Sequence, residues 1–231
     1  MKKTLSIIIP SYNEEKTIIK ILEKIHTNKI ESINFEIIVI EDGSSDQSRK
    51  VLESNKDLYN KLLINERNLG KGFSVKKGIE NASGDYILIQ DADLEYDPGD
   101  YVKFVNVISE FDPDGIIGTR VIFSQYTRAH NFFNKIGNKI LTLTFNIIYN
   151  KTFTDICCCY FVFKKDLIDP KKLKSNGFEG HIEIISQVMK KGKNFYEVPI
   201  NYNGRTINEG KKIRYYHFIP MLMKLFSSRI K

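Results

Sequence analysis

A chain of 231 residues and 26.8 kDa, 42% hydrophobic and 27% charged, is long enough for one sizeable folded domain and excludes the disordered and fibrous classes. Its formal charge of +7 is unevenly spread: residues 1–163 carry 20 Lys and Arg against 22 Asp and Glu, residues 164–231 carry 15 against 6. That basic last third suits either a phosphate-bearing partner or a solvated lysine-rich surface, and no apolar run approaches the ~20 residues that span a bilayer.

Lys2 and Lys3 precede an apolar run at 5–9. Pro10-Ser11-Tyr12-Asn13-Glu14 ends that run too early for a signal peptide, so it predicts a first strand. Short β-branched runs at 5–10, 35–41, 61–65, 86–90 and 115–119 predict buried strands. Ile18, Ile21, Leu22 and Ile25 keep the spacing of an amphipathic helix. Asp97-Pro98 caps another, continued by Val102, Val105 and Ile108. Such alternation predicts an α/β fold with a mainly parallel sheet, its ligands lying beyond the carboxyl ends of the strands. After Arg120 the pattern changes. An amphipathic stretch at 125–149, a strand-like run at 156–163, a helix at 182–190 and a strand at 194–199 lead to a Gly- and Asn-containing loop at 201–212. The tail at 215–230 mixes aromatic and aliphatic residues with Lys and Arg. Cys157, Cys158 and Cys159 are consecutive, which suits neither a disulfide nor a zinc site, so free thiols in a reducing cytoplasm are expected.

Acidic groups fall where a parallel sheet places its ligand: Glu41-Asp42-Gly43-Ser44 after the second strand, and Gln90-Asp91-Ala92-Asp93-Leu94-Glu95 after the fourth. Two carboxylates spaced as Asp91 and Asp93 suit a hard divalent cation that keeps positions open for phosphate oxygens. A turn with helix-capping aspartates is the structural alternative for that triplet taken alone.

These segments stand in order with Asn65-Glu66-Arg67-Asn68-Leu69-Gly70-Lys71-Gly72, Gly84-Asp85-Tyr86, Glu197-Val198-Pro199-Ile200 and Tyr202-Asn203-Gly204-Arg205-Thr206. Together with Asp93-Leu94-Glu95-Tyr96-Asp97-Pro98 they resemble the family 2 glycosyltransferases of the GT-A fold, in the branch of dolichyl-phosphate mannose synthase and related polyprenyl-phosphate glycosyltransferases. The resemblance implies one glycosyltransferase domain over 1–231. Its nucleotide-sugar-binding half is 1–120, its acceptor half 121–213, and 214–231 forms a basic, aromatic tail suited to a membrane interface. It also implies that Pro10, Tyr12, Glu14, Ile40, Asp42, Gly43, Lys71, Asp91, Ala92 and Asp93 bind the nucleotide sugar. Asp91 and Asp93, helped by Glu95, would hold Mg2+ or Mn2+, and Arg120, Arg128, Arg205 and Lys211 would gather the acceptor phosphate. Asp91, Asp93, Arg120 and Arg205 carry catalysis in that reading. His181 stands where an acidic residue is common in this branch.

The activity so implied is inverting transfer of a hexose from GDP-mannose or UDP-glucose to a dolichyl or undecaprenyl phosphate. It would take place on the cytoplasmic face of the membrane, with a homodimer as a further possibility. A soluble or cell-surface saccharide acceptor is the alternative, and a non-catalytic nucleotide-sugar-binding protein a third. No Gly-rich phosphate loop follows the first strand, against a nucleotidyltransferase, and no nucleic-acid motif accompanies the basic segment.

Overall fold

The computed structural model describes residues 2–122, 132–206 and 209–230. Strands β1 (Thr4–Ser11), β2 (Asn34–Asp42), β3 (Lys61–Asn65), β4 (Tyr86–Ile89), β5 (Gly115–Thr119), β6 (Phe161–Lys164) and β7 (Phe195–Pro199) form one sheet in the order β3-β2-β1-β4-β6-β5-β7. The β3-β2-β1-β4 half is parallel throughout, and β5 pairs parallel with β7. Only β6 runs antiparallel, wedged between β4 and β5. The sheet is therefore mixed but mainly parallel, as expected of a GT-A fold.

Helices α1 (Ile18–Thr27), α2 (Ser48–Glu53), α3 (Lys71–Asn81), α4 (Tyr101–Phe111), α5 (Phe132–Tyr149), α6 (Glu179–Lys191) and α7 (Phe218–Ile230) flank the sheet. On β1, Leu5, Ile7, Ile8 and Ile9 are all fully buried, because helices cover both faces of a central parallel strand. Ile18, Ile21, Leu22 and Ile25 form the buried stripe of α1. Helix α3 lies unusually close to the sheet, since a Cβ at Gly78 would come within 2.4 Å of Ile8. Asp97 accepts from Gly99 N at 3.0 Å and opens a short 3-10 turn, Pro98–Asp100, that leads into α4.

One element differs from the sequence reading. The run at 156–163 becomes a strand only from Phe161. The stretch before it turns, with Asp155 held by Arg120 and the Cys159 amide donating to Tyr96 rather than to a neighbouring strand. In the tail, Pro220 is the third residue of α7, where its missing N–H has no intrahelical partner to lose, so it starts the helix and does not break it.

Candidate active site

The carboxyl ends of β1, β2 and β4 open into a cleft of about 740 Å³. From β1 and the turn after it come Pro10, Tyr12 and Glu14; from β2, Asp42; from the turn after β4, Asp91, Ala92 and Asp93. Leu94, a non-glycine residue at φ 62°, reverses the chain so that Asp93 accepts from Glu95 N at 3.1 Å. Such left-handed backbone costs of order 1 kcal/mol.

The ion pairs of the cleft are shared out unevenly. Lys71, at the start of α3, places Nζ 2.5 Å from Asp91 and 3.1 Å from Cys159 Sγ. Burial works to raise the Asp91 carboxyl, but the Lys71 ammonium outweighs it and holds the group below its usual range. Asp93 moves the other way. Burial and the nearby charges of Asp91 and Glu95 push it up to about 7, against the pull of Arg205. The Arg205 guanidinium lies 2.9 Å from Asp93 and 3.0 Å from Glu14, and Lys212 adds 2.7 Å to Glu14. Burial opposes these donors at Glu14, which nevertheless stays below the ordinary glutamate value. Glu95 accepts from Tyr202 Oη at 2.5 Å and from Arg205 N at 2.8 Å, which pins the 201–205 segment over the cleft.

Among the described residues no group of three or more His, Cys, Asp or Glu side chains is gathered as a ligand set. Asp91 and Asp93 still fit a divalent cation by their chemistry. They are two oxygen donors facing one cleft, and Asp93 is held back from ionising by burial and by the negative charge around it.

The family model for glycosyl transferase family 2 matches residues 6–170. The chain belongs to that family. Among its relatives, this glycosyltransferase is 28% identical over 212 residues to the dolichol-phosphate mannosyltransferase of Pyrococcus furiosus, covering 90% of this chain and 58% of that one. It is 29% identical over 169 residues to the undecaprenyl-phosphate 4-deoxy-4-formamido-L-arabinose transferase of Proteus mirabilis, covering 71% of this chain and 50% of that one. The chain thus spans between half and three fifths of the length of these two. In fold it matches glucosyl-3-phosphoglycerate synthase from Mycobacterium tuberculosis, crystallised with Mg2+ and uridine diphosphate, with a TM-score of 0.73 at 15% identity over 98% of this chain and 79% of that one.

The cleft of this glycosyltransferase gathers most of the residues singled out by sequence. Arg120, Arg205 and Lys211 line it together with Asp91, Asp93 and Glu95. Arg120 is already engaged, with a two-point contact to Asp155 at 2.6 and 2.8 Å and its guanidinium over the Tyr202 ring at 4.9 Å. Arg128 lies outside the described residues. Ile40 of β2 is fully buried against α3 at Gly78 and does not line the cleft. Gly43 (φ 66°) backs onto Arg67, where a Cβ would fall 2.3 Å from backbone carbon. Asp42 borders the cleft, yet its oxygens accept from Asn65 Nδ2, Leu69 N and Gly70 N at 2.7–3.0 Å, so it shapes the loop that leads into Lys71. By resemblance Asp155, Cys159, Tyr160 and Glu183 match the family pattern, but the sequence reading counts neither Cys159 nor His181 among the site residues. Cys159 reaches Lys71, and His181 of α6 sits in the cleft with Nε2 3.1 Å from Ile156 O. Burial, aided by Lys71, holds that imidazole down to about 4, so it is neutral at pH 7. Only the mismatch of His181 with the family pattern hinted at its position.

Proposed function

We propose that this glycosyltransferase transfers a hexose from a nucleotide sugar to the phosphate of a polyprenyl phosphate, with inversion, at the cytoplasmic surface of a membrane. One observation carries the choice of acceptor: the cleft lining is of two chemically different kinds. Carboxylates and basic side chains come from the strand ends and the 205–214 segment, while Phe133, Ile136, Ile140, Leu141, Phe218 and Met221 of α5 and α7 supply an apolar lining. An acceptor with a charged head and an apolar tail matches both kinds at once.

In this reading Pro10, Tyr12 and Glu14 border the nucleotide, and Asp91 and Asp93 hold Mg2+ or Mn2+, which when bound offsets the charge of the leaving diphosphate. Glu95 contributes by fixing Tyr202 and Arg205 in place. Arg205 and Lys211 orient the acceptor phosphate, and Arg120, anchored by Asp155, walls the same side. A phosphate monoester has a second pKa of ~6, so its oxygen is already ionised near neutral pH. That oxygen attacks the anomeric carbon as the bond to the diphosphate oxygen breaks, and the electron pair leaves with the nucleoside diphosphate. No side chain needs to take a proton, which agrees with a neutral His181 tied to a backbone carbonyl. Rate enhancement then comes from positioning and from charge stabilisation.

A soluble phosphorylated acceptor is the second reading, favoured by the fold match to a synthase crystallised with phosphoglyceric acid, at a TM-score of 0.72 and 16% identity. Radiolabelled GDP-mannose and UDP-glucose, each offered with detergent-dispersed undecaprenyl phosphate and with 3-phosphoglycerate, separate the two. Label entering the organic phase supports the lipid acceptor. Label transferred only to 3-phosphoglycerate overturns it.

A further inference from the structure

Gln90, the residue before Asp91, is fully buried among apolar side chains at the end of β4. An amide there is costly unless its polar atoms are paired. Its Oε1 accepts from two buried hydroxyls, Tyr101 Oη and Tyr160 Oη, each at 2.6 Å, and its Nε2 donates to the backbone oxygen of Asp91 at 2.8 Å. The orientation of the amide is fixed by chemistry. The Asp91 carbonyl can only accept, so a flipped amide would set oxygen against oxygen. The two tyrosines belong to different parts of the chain, Tyr101 to α4 and Tyr160 to the turn before β6. Methionine would fill the same volume without the polar cost, so the amide is not explained by packing.

We infer that Gln90 is a positioning residue for the Asp91-Ala92-Asp93 turn: clamped by Tyr101 and Tyr160, its amide fixes the Asp91 peptide and so aims both carboxylates into the cleft. This rests on the reading that Asp91 and Asp93 hold the cation. Outer partners that orient metal-ligating groups typically account for roughly 10- to 100-fold in metal affinity.

The test titrates Mn2+ alone into the full chain, following loss of the free-ion electron paramagnetic resonance signal, with the melting temperature recorded for each variant. Gln90→Met should weaken Mn2+ binding by roughly tenfold or more. Tyr101→Phe removes one clamping hydroxyl but leaves the bond to Asp91, so it should lower the melting temperature with less than a threefold change in Mn2+ affinity. If Gln90→Met does not melt cooperatively, Gln90→Asn takes its place, because it keeps the amide but lacks the reach to span tyrosines and peptide. A folded Gln90 variant with wild-type Mn2+ affinity overturns the inference, as does a Tyr101→Phe loss equal to that of Gln90→Met. Asp93→Asn is the separate control. If it binds Mn2+ like the wild type, or if the wild type binds none, the metal reading itself fails.

Discussion

The Arg205 guanidinium bridges Glu14 and Asp93 while its buried Nε lacks a hydrogen-bond acceptor, 3.6 Å from Glu95. It occupies one of the two carboxylates assigned here to a divalent cation, so cation and arginine compete for Asp93. Arg205→Ala should therefore tighten Mn2+ binding to the nucleotide-free protein by about tenfold, the worth of one charge-assisted contact of ~1.5 kcal/mol, while raising the KM for the phosphorylated acceptor. Isothermal titration with Mn2+ and initial rates check the two halves, and weaker Mn2+ binding would place Arg205 on the cation's side instead. A second expectation follows at Asp93. Mn2+ should raise the melting temperature of the wild type, EDTA should reverse the gain, and Asp93→Asn should show neither response. Sequence spacing located these groups because the ends of β1, β2 and β4 deliver Glu14, Asp42, Asp91 and Asp93 to one edge of the sheet. It could not say how each carboxylate is used. Asp42 and Glu95 look like free ligands in a sequence, and both are spent on donors from other segments: Leu69 and Gly70 for the first, Tyr202 and Arg205 for the second. Those partners stand about 30 and 110 residues away, beyond the range of any local pattern.

Strands β1, β2 and β4 were legible because they are buried on both faces and read as nearly continuous apolar runs; β3, at the sheet edge and only partly buried, still matches its predicted bounds of 61–65. The antiparallel β6 was overextended, because burial of Ile156 and Tyr160 gives a turn the same apolar signature as a strand. Missing altogether was the polar clasp at the amino ends of the strands. Glu36 of β2 faces Ser6 of β1 in register, accepts from its hydroxyl at 2.5 Å, takes Lys61 of β3 at 2.9 Å, and binds Ser83 N and Oγ at 2.8 Å each. Burial opposes ionisation there, yet these donors hold the carboxyl down to about 2. A carboxyl that titrates lower in the folded than in the unfolded chain stabilises the fold above the unfolded value, near 4.5, and the gain is lost as pH falls towards 2. Glu36→Gln should cost about 2–3 kcal/mol at pH 7, with the gap to wild type narrowing below pH 4.5. Urea unfolding at pH 7 and pH 3 measures it, and an equal gap at both would show that the charge of Glu36 is not what ties the strands.

Across the whole molecule, the exposed apolar surface is larger than the tail alone suggested, because α5 adds to it. Helix α5 buries only Leu141, Thr142 and Phe145 and leaves Leu143 and Ile147 at 61% and 73% exposure. On α7, which packs against it, Ile219, Met223 and Phe226 are exposed as well, Met223 at 67%. No described helix is long and apolar enough to cross a membrane, so a membrane would be met by this face lying flat on it. Exposed Lys135, Lys139 and Arg229 stand on the same two helices, and each basic residue near an anionic leaflet adds ~1 kcal/mol. Because these helices supply the apolar lining of the cleft, docking would place that lining where a polyprenyl chain leaves the bilayer. Replacing Leu143 and Met223 together by Glu touches no core residue and should leave the melting temperature within about 2 °C of wild type. It should cost roughly 2–4 kcal/mol of membrane partitioning, at least thirtyfold. Sedimentation with phosphatidylglycerol vesicles at low salt reads that loss, and turnover of a vesicle-embedded polyprenyl phosphate should fall with it while a short-chain, water-soluble analogue is used at the wild-type rate. A wild-type protein that ignores the vesicles but becomes monomeric only on Leu143→Glu, Met223→Glu substitution in analytical ultracentrifugation would assign the face to a second copy of the chain.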